Sequence, residues 1–266
     1  MQVINSQENS NLKQIRLLSA KKHRETTGLF VIEGIRAVRD AFEAGAEFEK
    51  VFVSGKVFDS GSLGDKFTLT FEESDKLFLL RDELFSKVTE TETPQGVIAI
   101  VRQPKYNFLD IVEKSNKIII LEGIQDPGNL GTIIRTADAA GIDLVILLEG
   151  CVDIFNPKVV RSTMASIFNV PVVRLVNSQE CFSELKKEGY YVVVTSGDAN
   201  KSYRECVWSD KVAIVFGNEA NGVSKEAFEC AQESIKIDMP GKAESLNVAV
   251  AAGIIIFELI ATQPKI

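Results

Sequence analysis

Hydrophobic and polar positions follow two different patterns along this chain. From Lys117 onward, short and continuously apolar runs recur between stretches of helical length. They predict strands at 117–121, 143–148, 170–174, 190–195, 211–216 and 234–238, helices between most of them, and a last helix from about Glu244 to Ala261. Continuously apolar strands that alternate with helices indicate a parallel sheet covered on both faces. The first hundred residues are more mixed. Leu12, Ile15, Leu17 and Leu18 predict a helix over 11–23, followed by a strand at 29–32. A helix runs from the Glu33–Gly34 pair to about Ala44, closed by Gly45, and a strand follows at 51–53. Residues 54–66 read as a Gly-, Ser- and Asp-rich loop, 74–80 and 82–87 as helical segments, and 96–101 as a strand. The pattern therefore predicts a small α/β domain over 1–105 and a larger parallel-sheet domain over 106–266, joined through Arg102–Asn107 with Pro104 inside it. No internal repeat or low-complexity tract appears.

Composition narrows the class. The chain has 266 residues, 45% apolar and 25% charged, ordinary for a globular protein with a real core. Its longest apolar run, Val248 to Ile260, is broken by Glu258 and is too short for a membrane span. Met1 to Ser10 is polar and lacks the apolar centre of a signal peptide. Cys151, Cys181, Cys206 and Cys230 are widely spaced and form no CxxC pair, so a reduced compartment, the cytoplasm, is expected. The net charge of −7, from 30 basic and 37 acidic residues, argues against strong non-specific nucleic-acid binding by the chain as a whole. Locally, Lys13, Arg16, Lys21, Lys22 and Arg24, with His23, gather in one stretch that contains no acid. They are candidate RNA contacts or one solvated helix face.

The residues also exclude chemistries. His23 is the sole histidine and lies outside the larger domain, so neither a histidine triad nor a histidine metal cluster can form there, and no metal is expected. No cysteine has a sequence neighbour that would obviously lower its pKa. There is no GxxxxGK[ST] loop, and the turn from Gly128 to Gly131 is not GxGxxG. Three polar clusters remain, each after a strand. Asn129 and Arg135 lie in the Gly- and Pro-rich turn and helix after the first strand of the larger domain. Glu219 sits in the run Phe216 to Gly222. Ser245 and Asn247 close the run Ile237 to Asn247, which leads into the last helix. Amides at a helix N-terminus favour anions, and open parallel sheets bind ligands beyond the carboxyl ends of their strands.

In order, spacing and glycine framework these clusters closely resemble the three motifs of the SpoU (TrmH-type) RNA 2′-O-ribose methyltransferases of the SPOUT superfamily. The resemblance covers roughly 117–261, and the first hundred residues look like the small RNA-binding substrate domain often attached to such enzymes. It implies a deep trefoil knot in the α/β domain and S-adenosylmethionine bound in bent form, largely by backbone groups. Residue matching puts those contacts at Thr195, Ser196, Gly197, Gly217, Ile237, Met239 and Leu246, and the catalytic positions at Asn129, Arg135, Glu219, Ser245 and Asn247. It implies transfer of a methyl group to a ribose 2′-hydroxyl of RNA, with ribosomal RNA favoured over tRNA. It also implies a homodimer formed through the larger domain, which suits a last helix apolar on nearly every side.

Each position also has a plainer reading. Arg135 can pair with Asp138 at i,i+3; Asn129 can cap its helix; Glu219 can be a solvated turn residue. Ser245 can be the N-cap of the last helix, with Asn247 in its first turn. Gly217 suits close approach of backbone to a ligand. Competing functions are a tRNA methyltransferase, a non-catalytic RNA-binding protein of the same fold, and a nucleotide-binding enzyme of ordinary doubly wound topology. The set of five polar residues disfavours the pure binder, and the missing glycine fingerprint disfavours the last.

Overall fold

A computed structural model describes residues 2–89, 91, 93–218 and 221–262. Contacts divide the chain into two compact units, Met1–Pro104 with Phe155–Phe168, and Lys105–Ile154 with Asn169–Ile266.

The first unit contains β1 (Gln2–Ile4), α1 (Ser10–Leu17), α2 (Lys21–Thr27), β2 (Leu29–Glu33), α3 (Ile35–Glu43), β3 (Phe48–Ser54), α4 (Gly55–Asp59), α5 (Asp65–Glu73), β4 (Leu77–Leu80), α6 (Asp82–Phe85) and β5 (Val97–Arg102). Its five-stranded sheet has the order β1-β4-β3-β5-β2, with β5 antiparallel to both neighbours. Leu12 and Ile15 of α1 pack against Phe52, Leu80, Ile98 and Ile100 of the sheet. Phe42, Phe48, Phe67 and Phe71 form an aromatic cluster between α3, α5 and β3, with Phe67 and Phe71 at 4.5 Å. The segment 155–168 joins this unit because fully buried Phe30 meets Phe155 at 4.8 Å and Phe168 at 5.9 Å.

Three expectations for this unit are corrected. The helix over 11–23 is two helices, broken at Leu18–Ala20. The break is held by Arg24, whose Nη1 donates to the carbonyls of Leu18 (2.8 Å) and Ser19 (2.6 Å). The stretch 54–66 is not all loop, because Ser54 Oγ accepts from Val57 N (3.2 Å) and starts α4. Residues 74–80 are not helical. Leu77–Leu80 pairs in parallel with β3, and burial in the sheet overrides a pattern too short to tell helix from strand.

The second unit follows with α7 (Phe108–Lys114), β6 (Lys117–Leu121), α8 (Pro127–Ala139), β7 (Leu144–Leu147), α9 (Pro157–Thr163, part of the first unit), β8 (Val172–Arg174), α10 (Ser178–Lys187), β9 (Tyr191–Thr195), β10 (Lys201–Ser202), β11 (Val212–Phe216), α11 (Lys225–Cys230), β12 (Glu233–Lys236) and α12 (Val248–Thr262). All neighbouring strands pair in parallel in a seven-stranded sheet of order β10-β12-β9-β11-β6-β7-β8. The fold class is thus the expected α/β type with a parallel sheet. Ile118 to Leu121 and Val212 to Val215 are fully buried, as continuously apolar central strands require. β10 has two residues and left no pattern to read. The last helix starts at Val248, later than expected, because 237–247 stays irregular and forms a wall of the site.

Candidate active site

The loops after β6 and β11 are fastened to each other at the carboxyl end of the sheet. Glu122 N donates to Phe216 O (2.9 Å). The buried Glu122 carboxylate accepts from Ser224 N (2.7 Å) and Ser224 Oγ (2.8 Å). Asn218 Nδ2 donates to Gly123 O (2.8 Å), and Asn218 and Gly222 exchange backbone hydrogen bonds (3.0 and 2.8 Å). A Cβ on Gly217 would lie 2.2 Å from the Gly222 backbone, so no side chain fits there. The close approach at Gly217 is therefore to its own turn. Sequence reasoning missed Glu122, Asn218 and Ser224. The available signal was a carboxylate placed directly after four apolar strand residues, where burial without partners is costly.

Helices α8 and α12 bring the first and third clusters together. Asp126, not Asn129, caps α8: its side chain accepts from Asn129 N (2.8 Å), with Pro127 in the first turn. Asn247, not Ser245, caps α12, since Asn247 Oδ1 accepts from Ala249 N (3.0 Å) and Val250 N (3.3 Å). Its other amide atom, Nδ2, donates to Asn129 Oδ1 (2.9 Å) across 118 residues of sequence. Arg135 is exposed on α8, about 9 Å along the helix axis from Asn129. Asp138 does not pair with it; Asp138 Oδ2 accepts from Asn169 Nδ2 (2.9 Å).

Between the loops lies a cavity of about 410 Å³. Thr195, Ser196, Gly197, Gly217, Ile237, Met239 and Leu246 all line it, and so do Ser245 and Asn247. The Thr195 hydroxyl donates to Val215 O (3.0 Å) and Ser196 N to Ile235 O (3.0 Å), so both groups fasten the ends of adjacent strands. Arg135 is not among the residues lining the cavity. Glu219 lies outside the described residues. In the other unit Lys13, Arg16, Lys21 and Lys22 are exposed, whereas Arg24 is 3% exposed. The assignment of Arg24 as an RNA contact is therefore corrected: its guanidinium is consumed by the α1–α2 turn.

Burial pushes the Cys181 thiol up to about 12; burial and the hydrogen bond to Glu233 do the same for Cys206. Neither is a nucleophile at neutral pH.

The cavity suits S-adenosylmethionine. Ile237, Leu246 and Ile255 offer apolar walls for an adenine, while the irregular backbone of 196–197 and 237–247 offers N–H and C=O groups to polar ends. Its volume falls in the usual range of about 300–1,000 Å³ for ligand sites.

Residues 116–257 match the model of the SpoU rRNA methylase family, and residues 9–99 that of the MRM3-like substrate binding domain. The chain is 37% identical to the 23S rRNA (guanosine(2553)-2′-O)-methyltransferase RlmP of Bacillus subtilis (strain 168), over 97% of this chain and 99% of that protein. The crystal structure of an AdoMet-bound rRNA methyltransferase from Sinorhizobium meliloti superposes with a TM-score of 0.88 at 31% identity, covering 99% of each chain. AviRb from Streptomyces viridochromogenes, a SpoU methyltransferase crystallised with AdoMet, superposes with a TM-score of 0.82 at 25% identity, covering 96% of this chain and 98% of that one. The chain belongs to the SpoU rRNA methylase family.

Proposed function

We infer that this protein transfers a methyl group from S-adenosylmethionine to a ribose 2′-hydroxyl of ribosomal RNA. One observation carries the reading. The positions that motif matching assigns to the cofactor come from three loops far apart in sequence, and they line one cavity whose edge residue, Asn247, holds Asn129. The named activities of the relatives above favour ribosomal RNA as the substrate.

When bound, S-adenosylmethionine supplies an activated methyl group on a sulfonium. The protein's task is then mainly to hold the hydroxyl in line and to manage charge. A guanidinium stays protonated in proteins, so Arg135 acts electrostatically, on the developing alkoxide and its neighbouring phosphate, while water or an RNA phosphate takes the proton. Asn129, Ser245 and Asn247 orient the ribose and the guanidinium, and the motif match adds Glu219 to this catalytic set.

Arg135 lies outside the cavity of its own chain, so a second copy is part of this reading. Val250 and Phe257, seven residues apart on α12, are 52% and 50% exposed, and α12 packs against α8. A two-fold contact over this apolar face makes a homodimer in which one subunit's Arg135 serves the other's cavity. Residues 1–105 act as the RNA substrate-binding domain, through Lys13, Arg16, Lys21 and Lys22, and the protein works in the cytoplasm.

The test is purified protein with methyl-labelled S-adenosylmethionine and either ribosomal RNA or tRNA, with the product nucleotide identified. A 2′-O-methylated nucleotide in ribosomal RNA is expected; label found only in tRNA, or on a base, overturns the proposal.

A further inference from the structure

A second cavity, also of about 410 Å³, lies within the first unit; of its lining residues, only Arg16 enters the reading above. Its floor includes Ile15, Leu18, Val88 and Met164. Arg16, Arg36, Lys87 and Arg161 line it against a single described carboxylate, Glu33, which already accepts from Thr91 Oγ1. Thr89, Thr91 and Thr93 also line it.

Three features make this more than a gap in packing. Helix α3 opens onto it: Gln95 Oε1 accepts from Ile35 N (3.0 Å), Gly34 supplies no side-chain cap, and the first turn contains no acid. The macrodipole of α3 therefore adds to the cations. Met164 and Ala165 both have positive φ (48° and 72°), a costly conformation for residues with a Cβ. Met164 is nonetheless 46% exposed and lines the cavity with a polarisable side chain. The third feature is spread of charge. Arg36 is 78% exposed at its side chain, and Arg16 and Lys87 are also exposed, so the cations reach beyond the space one phosphate fills.

An aromatic base over an apolar floor with phosphates on surrounding cations is the chemistry of an unstacked nucleotide. We propose that this cavity receives one unpaired nucleotide of an RNA strand, with its base between Val88 and Met164 and its phosphates on Arg16 and Arg36. The strand, not a free mononucleotide, is the occupant because the cations extend past the cavity toward neighbouring phosphates. The proposal rests on the reading of the protein as acting on RNA.

The test uses the full chain and a fluorescently labelled single-stranded RNA oligonucleotide, with binding followed by anisotropy at several salt concentrations. Ala37→Trp fills the cavity from the first turn of α3, and Arg36→Glu reverses one exposed charge. Calorimetry with S-adenosylmethionine reports in parallel on the fold. Both variants should bind the oligonucleotide at least about tenfold more weakly, with cofactor affinity unchanged, and only Arg36→Glu should flatten the salt dependence. If Ala37→Trp loses cofactor binding, Arg36→Glu decides alone. Variants that bind RNA as tightly as the parent overturn the cavity proposal and leave the methyltransferase reading standing. A parent protein that binds no RNA overturns both. Nucleoside 5′-monophosphates that bind at micromolar concentration and are not displaced by the oligonucleotide show a free-nucleotide site and overturn the assignment to a strand.

Discussion

The two units each hold a cavity of about 410 Å³, and the walls of these cavities have little in common. In the second unit the walls are loop backbone and apolar side chains, with Lys236 and Glu244 as the charged residues among those described. In the first unit, among the described residues, four cations oppose one carboxylate. Equal volume therefore says nothing about the ligand; the chemistry of the lining does. A small sulfonium cofactor needs shape and backbone hydrogen bonds, whereas a polyanionic strand needs cations whose charge reaches solvent. The same contrast runs through the internal bonding. Glu122, Asn218 and Asn247 fasten one loop to the next around the cavity, while Arg16 donates to Lys87 O at 3.3 Å and Arg36 makes a 3.5 Å exposed ion pair with Asp40. One site is fixed in advance and the other is open to a long substrate.

The sharpest separation of binding from chemistry is Arg135→Ala. Arg135 lines neither cavity of its own chain and is assigned to the ribose and its phosphate, so cofactor binding should survive. Methyl transfer should fall by about 10²–10³-fold, the usual cost of one lost electrostatic stabiliser. Full activity in this variant, measured as label transferred to ribosomal RNA, would refute the assignment. Gly217→Ala should break the other side of the comparison. Its Cβ would sit 2.2 Å from the Gly222 backbone, so the turn must move. A loss of about 2–4 kcal/mol in denaturant unfolding and a collapse of cofactor affinity are expected. RNA binding by the first unit should persist, and retained cofactor affinity would show that the turn does not shape the pocket.

A smaller effect is expected at Glu122. Glu122→Ala leaves Ser224 N and Oγ without their acceptor and should cost about 1–3 kcal/mol. Cofactor affinity should drop with it, because the loop from 217 to 224 is held there. An unchanged unfolding midpoint would place the strength of this loop elsewhere, in the Asn218–Gly222 turn.

How much of this was legible depended on burial. The central strands of the second unit are fully buried on both faces, so their sequences are continuously apolar and their boundaries were readable within about two residues. In the first unit, Leu77–Leu80 is buried except at Leu79, yet four apolar residues after a helical stretch fit either period. Arg24 was misread because a basic run does not show which of its members turns inward to satisfy carbonyls. The three polar clusters were visible as residues, but their plainer roles could be separated only by geometry. Asp126 and Asn247 do the capping. Asn129 instead meets Asn247, and Asp138 is engaged with Asn169, which leaves Arg135 exposed on its helix. Glu122 escaped notice because a single carboxylate at a strand end carries no pattern at all.

The least disruptive test lies at Asn247, which does two jobs with one amide. Oδ1 caps α12, and Nδ2 reaches Asn129. Asn247→Ala removes both and should cost about 1 kcal/mol of stability, the usual value of a cap. Asn247→Asp separates the roles. The carboxylate still accepts from Ala249 N and Val250 N, and its charge is favourable by a few tenths of a kcal/mol at a helix N-terminus. It has no hydrogen to donate to Asn129 Oδ1, and at neutral pH it places two acceptors face to face. Unfolding by denaturant should therefore be near the parent value for Asn247→Asp, while methyl transfer should fall about tenfold, close to one lost hydrogen bond at a positioning residue. If the transfer rate instead tracks stability across the two variants, Asn247 is only a cap, and the bridge to Asn129 plays no part in holding the ribose.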